Sequence, residues 1–304
     1  MLLFIQDSEQ INILKLLFNN KCNKYYILKY VLLFMLIPFS FNFILDCMWR
    51  PSLHQPSVSR IIVEISELLA GYLGIFIKFP NTRELMMGNK RQFFEVAGFP
   101  DVVGCIDCTH IPIKSPGGAM AEGFRNRKGF MSLNVQVVCG PNLEFLNIVI
   151  RWPGSAHDNR IFENSGVMVS FEEGRRSGIL LGDSGYGQKP YLFTPVPNSQ
   201  NEEETRYNRT HVKTRNIVER SFGAWKRKFS CLSKKLNTKL KTTTRIIAAC
   251  AVLHNVALRY GQDDNFEFHD RVVPVEALED RPRGRAIRAA FIERHFRILN
   301  ILFA

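Results

Sequence analysis

Apolar residues recur at helical spacing from Gln55 to Leu69, where Ile61, Ile62, Val63, Ile65, Leu68 and Leu69 follow a turn and the polar start Ser57-Val58-Ser59-Arg60. That spacing predicts an amphipathic helix. Small polar residues followed by Arg also suit the second helix of a helix-turn-helix, whose N-terminal end meets DNA. An ordinary amphipathic helix with a serine cap fits the same residues. A second helix is predicted over Thr82 to Ala97, polar on one side and carrying Phe93, Phe94 and Val96. From Val102 the period changes to that of strands. Val102 to Ile106 is a short apolar run, followed by a polar, Gly-rich and charged loop from Lys114 to Gly129. Leu133 to Cys139 and Phe145 to Trp152 flank Gly140-Pro141-Asn142-Leu143, a turn signal, so the two read as a hairpin. A helix is expected within Asp158 to Glu172, a fourth strand at Ile179 to Gly182 and a fifth at Tyr191 to Val196. After a polar loop, Asn198 to Tyr207, helices are expected over Thr210 to Phe229 and Thr242 to Tyr260. The tail from Asp263 is polar and closes with a basic helix over Gly284 to Leu299; no internal repeat is present.

Strands first, then strand and helix in alternation, imply an α/β fold with a mixed sheet packed by helices. The boundaries that follow are an atypical hydrophobic segment at 1–50, a helical region at 51–100, a core at 101–262 and a polar tail at 263–304. The first segment contains Tyr25 to Leu45, YYILKYVLLFMLIPFSFNFIL, about the length that crosses a bilayer. Lys29 and Pro38 interrupt it, so a membrane segment and a buried helical pair both fit. A signal peptide fits less well, because the apolar run starts late and no small-residue cleavage site follows.

Charge narrows the function. The 304 residues contain 40 Lys and Arg against 28 Asp and Glu, a net charge of +12, which favours a nucleic-acid or anionic-membrane partner. Seven scattered cysteines do not make a secreted disulfide framework, which points to a reducing compartment. Cys105 and Cys108 form one CxxC with no second pair at zinc-finger spacing, and read as small residues beside a site.

Against this basic background three acids stand out. Asp107 ends the apolar run in Gly104-Cys105-Ile106-Asp107-Cys108-Thr109-His110, and Asp183 ends another in Leu180-Leu181-Gly182-Asp183-Ser184-Gly185-Tyr186. Glu219 sits in Arg215-Asn216-Ile217-Val218-Glu219-Arg220, beside the apolar stripe Val218, Phe222, Trp225 and Phe229. A carboxylate at the end of a buried strand is costly to desolvate unless a cation meets it. Mg²⁺ and Mn²⁺ prefer such hard oxygen ligands, and two ions held together can activate a water and stabilise the leaving oxygen of a phosphodiester. Arg125, Arg127, Lys128, Arg215, Lys226 and Arg227 are the candidate contacts to a nucleic-acid backbone. His157 and Asp158 fit either an accessory polar pair at the mouth of the site or a helix cap with the ring packed behind it; they are left out of the metal set. His110 fits either a partner of Asp107 or a satisfied histidine beneath the sheet, and His254 reads as core.

The runs GCIDCTHIPIKSP (104–116), FRNRKGFMSLNVQVVCG (124–140), WPGSAHDNRIFENS (152–165), LLGDSGYGQKPYLFTPV (180–196) and NIVERSFGAWKRKF (216–229) resemble the PIF/Harbinger superfamily of DDE transposases, and within it the Harbinger transposase-derived nucleases. The resemblance covers about residues 52 to 300. It implies a ribonuclease-H-like core and a DDE triad at Asp107, Asp183 and Glu219 that uses divalent metal, Mg²⁺ or Mn²⁺, as two ions. It further implies a DNA endonuclease, a nuclear location with the cytoplasm as a second compartment, and a Myb/SANT-like DNA-binding partner. A catalytically silent DNA- or chromatin-binding protein on the same fold is the alternative. Two departures accompany it. Cys108 stands where the family often has Gly, and only one N-terminal helix, Gln55 to Leu69, is recognisable where the family has a complete helical region.

Overall fold

The structure, a computed structural model, describes residues 55–259 and 282–297. The segment Tyr25 to Leu45 and residues 263–281 of the tail lie outside the described residues. Among the described residues no helix is long and apolar enough to cross a membrane.

Five strands form one sheet: β1 (Val102–Pro112), β2 (Ser132–Cys139), β3 (Phe145–Pro153), β4 (Ile179–Leu181) and β5 (Leu192–Phe193). Their order across the sheet is β3-β2-β1-β4-β5. The first three are antiparallel neighbours, whereas β4 runs parallel to β1 and β5 parallel to β4. The helices are α1 (Gln55–Ala70), α2 (Leu73–Phe76), α3 (Arg83–Ala97), α4 (Asp158–Glu163), α5 (Gly166–Glu172), α6 (Glu202–Lys228), α7 (Leu240–Arg259) and α8 (Pro282–Phe296). This is the mixed, ribonuclease-H-like α/β arrangement that the resemblance implies.

Strand alternation divides the core between the two faces. Cys105 and Ile111 of β1 pack with Val218 and Trp225 of α6 and with Phe93 of α3. Val103 and Ile106 point the other way, to Phe162 of α4, Phe171 of α5 and Tyr186. Gly104 lies between, where an added Cβ would stand 2.6 Å from Val138.

Three elements differ from the sequence expectation. Strand β1 does not end at Ile106 but continues to Pro112. What ends near Asp107 is its parallel neighbour, because β4 stops at Leu181, opposite Cys105. Helix α6 begins at Glu202 instead of Thr210: Asn201 caps it by accepting the Glu204 amide, and Glu202, Glu203 and Glu204 complement the helix dipole. The first turns are polar because they face solvent, which gave them the composition of a loop. The stretch from Asp158 to Glu172 holds two short helices, the second restarted by Ser165, whose hydroxyl accepts the Met168 amide.

The end of the sheet at the β2–β3 turn is fastened by neutral polar groups. Leu143 has φ 67°, and its carbonyl accepts from Ser221 Oγ at 3.0 Å and from His254 Nε2 at 2.9 Å. Asn255 accepts the Phe145 amide at 2.7 Å and donates to the carbonyls of Phe145 at 2.7 Å and Phe76 at 2.9 Å. His254 is core, as expected: it is buried and its ring lies 4.6 Å from that of Phe145.

Candidate active site

The parallel register of β1 and β4 aligns two of the predicted acids. Cys105 pairs with Leu181, so Asp107 and Asp183, each two residues further on, leave the sheet side by side. With no β4 beyond Leu181, Asp107 turns off the open edge, where its Oδ1 accepts the Cys108 amide at 2.7 Å. Asp183 Oδ1 accepts the Gly185 amide at 3.0 Å.

A third aspartate joins them, and it is Asp158. One carboxylate oxygen from each of Asp107, Asp158 and Asp183 lies within 4.8 Å of the others. Asp158 comes from the opposite face of the sheet, at the start of α4. Asn134 of β2 positions it, donating from Nδ2 to Asp158 Oδ1 at 2.9 Å and to the Ala156 carbonyl at 2.9 Å. Gly154 permits the tight turn ahead of it, since a Cβ there would lie 2.3 Å from Ser132 Oγ. The capping reading does not describe this residue: His157 is the N-cap and makes no side-chain cap bond. Nor is His157 packed away. It is exposed, with its Nδ1 2.6 Å from an Arg127 nitrogen. The signal available in the sequence was an acid six residues after Trp152, just past Gly154, beyond a strand that neighbours the Asp107 strand in the hairpin.

Glu219 lies on the same side of the sheet as Asp107 but outside that group of three. Arg215, one helical turn earlier on α6, donates from one nitrogen to Asp107 Oδ2 at 2.9 Å and from another to Glu219 Oε1 at 2.6 Å. The side chains of Arg215, Asp107 and Glu219 are 12%, 16% and 31% exposed. The structure therefore brings Asp107, Asp183 and Glu219 to one site, with Glu219 linked through a guanidinium.

The electrostatics are those of crowded anions. Burial, then the charge of Asp183, pushes the Asp107 carboxyl up from 3.8 to about 8, although Arg215 pulls it down. Burial also raises Asp183, with Asp158 and Glu219 adding to the rise against Arg215. Such a cluster fits a divalent cation. Its donors are hard carboxylate oxygens, no His or Cys belongs to the group, and a cation would relieve the repulsion that holds protons on it.

The remaining candidates fall around this centre. Lys226, almost two turns after Glu219 on α6, donates to Thr109 Oγ1 at 2.6 Å and to the His110 carbonyl at 3.0 Å. Burial, with Lys128 nearby, lowers its ammonium to about 8. Arg125 is exposed and paired with Glu122 at 2.8 Å, and Arg127 meets His157. Arg227 is exposed at the end of α6. His110 bonds through Nδ1 to Ser132 Oγ at 3.1 Å, which is the second of its two readings, and burial lowers its pKa. The two CxxC sulfurs diverge. Cys105 is buried and donates to the Thr214 carbonyl, whereas Cys108 lies 3.4 Å from the Tyr186 hydroxyl.

Comparison with known proteins agrees with this geometry. A family described as DDE superfamily endonuclease matches residues 106–255, which contain every acid named above. HARBI1 of Xenopus laevis, named as a candidate nuclease, is 30% identical over 253 residues, 80% of this chain and 72% of the relative. The chain belongs to the Harbinger transposase-derived branch of the DDE endonucleases. The Mus musculus HARBI1 is 36% identical over 213 residues, 69% of this chain. The chain spans 61% of the length of that relative. A plant member, Antagonist of Like Heterochromatin Protein 1 of Arabidopsis thaliana, is 24% identical over 223 residues, 68% of this chain and 56% of its own. No solved structure matches.

Proposed function

We propose that this member of the family is a divalent-metal-dependent DNA endonuclease. The observation that carries the reading is the convergence of Asp107, Asp158 and Asp183, with Glu219 close by, at the end of a parallel strand pair in a chain of net charge +12. The names of the vertebrate relatives support it. Bound at the carboxylates, Mg²⁺ or Mn²⁺ would supply a Lewis acid for the phosphodiester and a water acidified enough to attack it in line. The chain's own residues do the rest. Asp107, Asp158 and Asp183 hold the cation, Asn134 orients Asp158, and Arg215 neutralises Asp107 and Glu219. Lys226, with Arg127, Lys128 and Arg227 around it, would hold the DNA backbone without reading its sequence. Arg125 and Arg215 are ion-paired here, and a phosphate would compete with Glu122 for the first and with Asp107 and Glu219 for the second. A nuclear location and a separate Myb/SANT-like DNA-binding partner complete this reading, on the strength of the family resemblance.

Nicking of supercoiled plasmid in Mn²⁺, compared between the wild type and Asp183→Asn, tests the proposal. The wild type nicks and the variant does not; equal nicking by both removes the enzymatic reading. A second reading, a silent DNA- or chromatin-binding protein, is favoured by the plant relative, whose name concerns heterochromatin and not cleavage. DNA binding by a wild type that never nicks would establish it.

A further inference from the structure

The four acids of the site are not held alike, and the difference bears on how many cations they serve. Asp158 is fixed by Asn134, whose amide is itself anchored on the Ala156 carbonyl, the arrangement that orients a metal-binding carboxylate. Asp183 and Asp107 each spend one oxygen on a backbone amide one or two residues ahead. Glu219 instead has Oε1 engaged by Arg215, and the same guanidinium takes Oδ2 of Asp107. The guanidinium thus stands between Asp107 and Glu219, in the position that a second ion shared by those two residues would need. Moving it out would strip a largely buried cation of both its carboxylates, which is costly.

We propose that the site binds one divalent cation, at Asp107, Asp158 and Asp183, and that the Arg215 guanidinium fills the second cationic position between Asp107 and Glu219. This rests on the metal-dependent reading above and replaces the pair of ions that the DDE resemblance implies. Arg215 is then a positioning residue with a fixed charge, and Glu219 acts by holding it. The scheme makes Asp158 a ligand, and Glu219 a residue whose loss leaves the ion in place.

Binding of Mn²⁺ to the full chain without DNA, followed by the loss of the free-ion electron paramagnetic resonance signal, gives stoichiometry and affinity independently of cleavage. One ion per chain is expected. Asp158→Asn weakens it at least about tenfold. Glu219→Gln changes it less than about threefold, because the glutamate meets the guanidinium and not the ion. Arg215→Met, checked for folding by circular dichroism, opens a second site. Two ions on the wild type, or a loss in Glu219→Gln as large as in Asp158→Asn, overturns the proposal while leaving a metal-dependent nuclease intact. No Mn²⁺ bound by the wild type overturns both. The wild-type stoichiometry and the comparison of the two acid variants stand whether or not Arg215→Met folds.

Discussion

The two ends of the sheet bury polar side chains to opposite effect. At the β2–β3 turn, Ser221, His254 and Asn255 are neutral, and each meets a backbone group that would otherwise be buried without a partner. At the other end, Asp107, Asp158 and Asp183 crowd together, and the first and last are pushed up by burial and by their neighbours. Polar groups that satisfy one another hold the fold; like charges brought together against their own repulsion hold a place for something else. The first end should therefore respond to mutation in stability and the second in activity.

The largest effect is expected at the crowded end. Asp183→Asn lowers Mn²⁺-dependent nicking on the order of a thousandfold, through loss of a ligand in the transition state. Yet the same change raises the stability of the metal-free protein by about 1 kcal/mol, because one repelling charge has gone. A variant that lost both activity and stability would erase the contrast. Asn255→Leu does the reverse: three buried hydrogen bonds vanish and unfolding becomes easier by about 3 kcal/mol, while Mn²⁺ affinity is unchanged. Urea unfolding and metal titration of the same sample check both halves.

A pH series sharpens the comparison further. The unfolded chain ionises Asp107 near its ordinary 3.8, whereas the folded chain keeps the proton to about 8, so the folded state binds more protons in between. Metal-free stability therefore falls as pH rises from about 4 to about 8, and Mn²⁺ raises the melting temperature more at pH 8 than at pH 6. A metal-free melting temperature that climbed over this interval would contradict the assignment. The smallest effect concerns DNA: Lys226→Met lowers the slope of log affinity against log salt by about 1, the loss of one phosphate contact.

Much of this was legible in the chain before its structure. The turn at Gly140 to Leu143 announced the hairpin, and the apolar runs ahead of Asp107 and Asp183 placed both acids where a strand pair delivers them. The start of α6 was hidden because helical turns on the surface share the composition of a loop; only the cap at Asn201 and the glutamates behind it distinguish them. Asp158 was hidden for a different reason. An acid at a helix start is ordinarily a cap, and only the fold reveals that β2 carries Asn134 to the place where that acid must turn inward. Arg215 was visible as a cation near Glu219, but its reach to Asp107 depends on how α6 crosses β1.

One consequence of β1 outlasting β4 concerns what the protein must avoid. From Asp107 to Pro112 the strand has β2 on one side and no partner strand on the other until the bridge from Ile113 to Leu236. Such a ledge invites a strand from a second molecule, and proteins commonly guard it with a buried charge or a covering helix. Lys226 does this from α6 by engaging Thr109 and the His110 carbonyl, so its replacement by an apolar residue should favour self-association even in the absence of DNA.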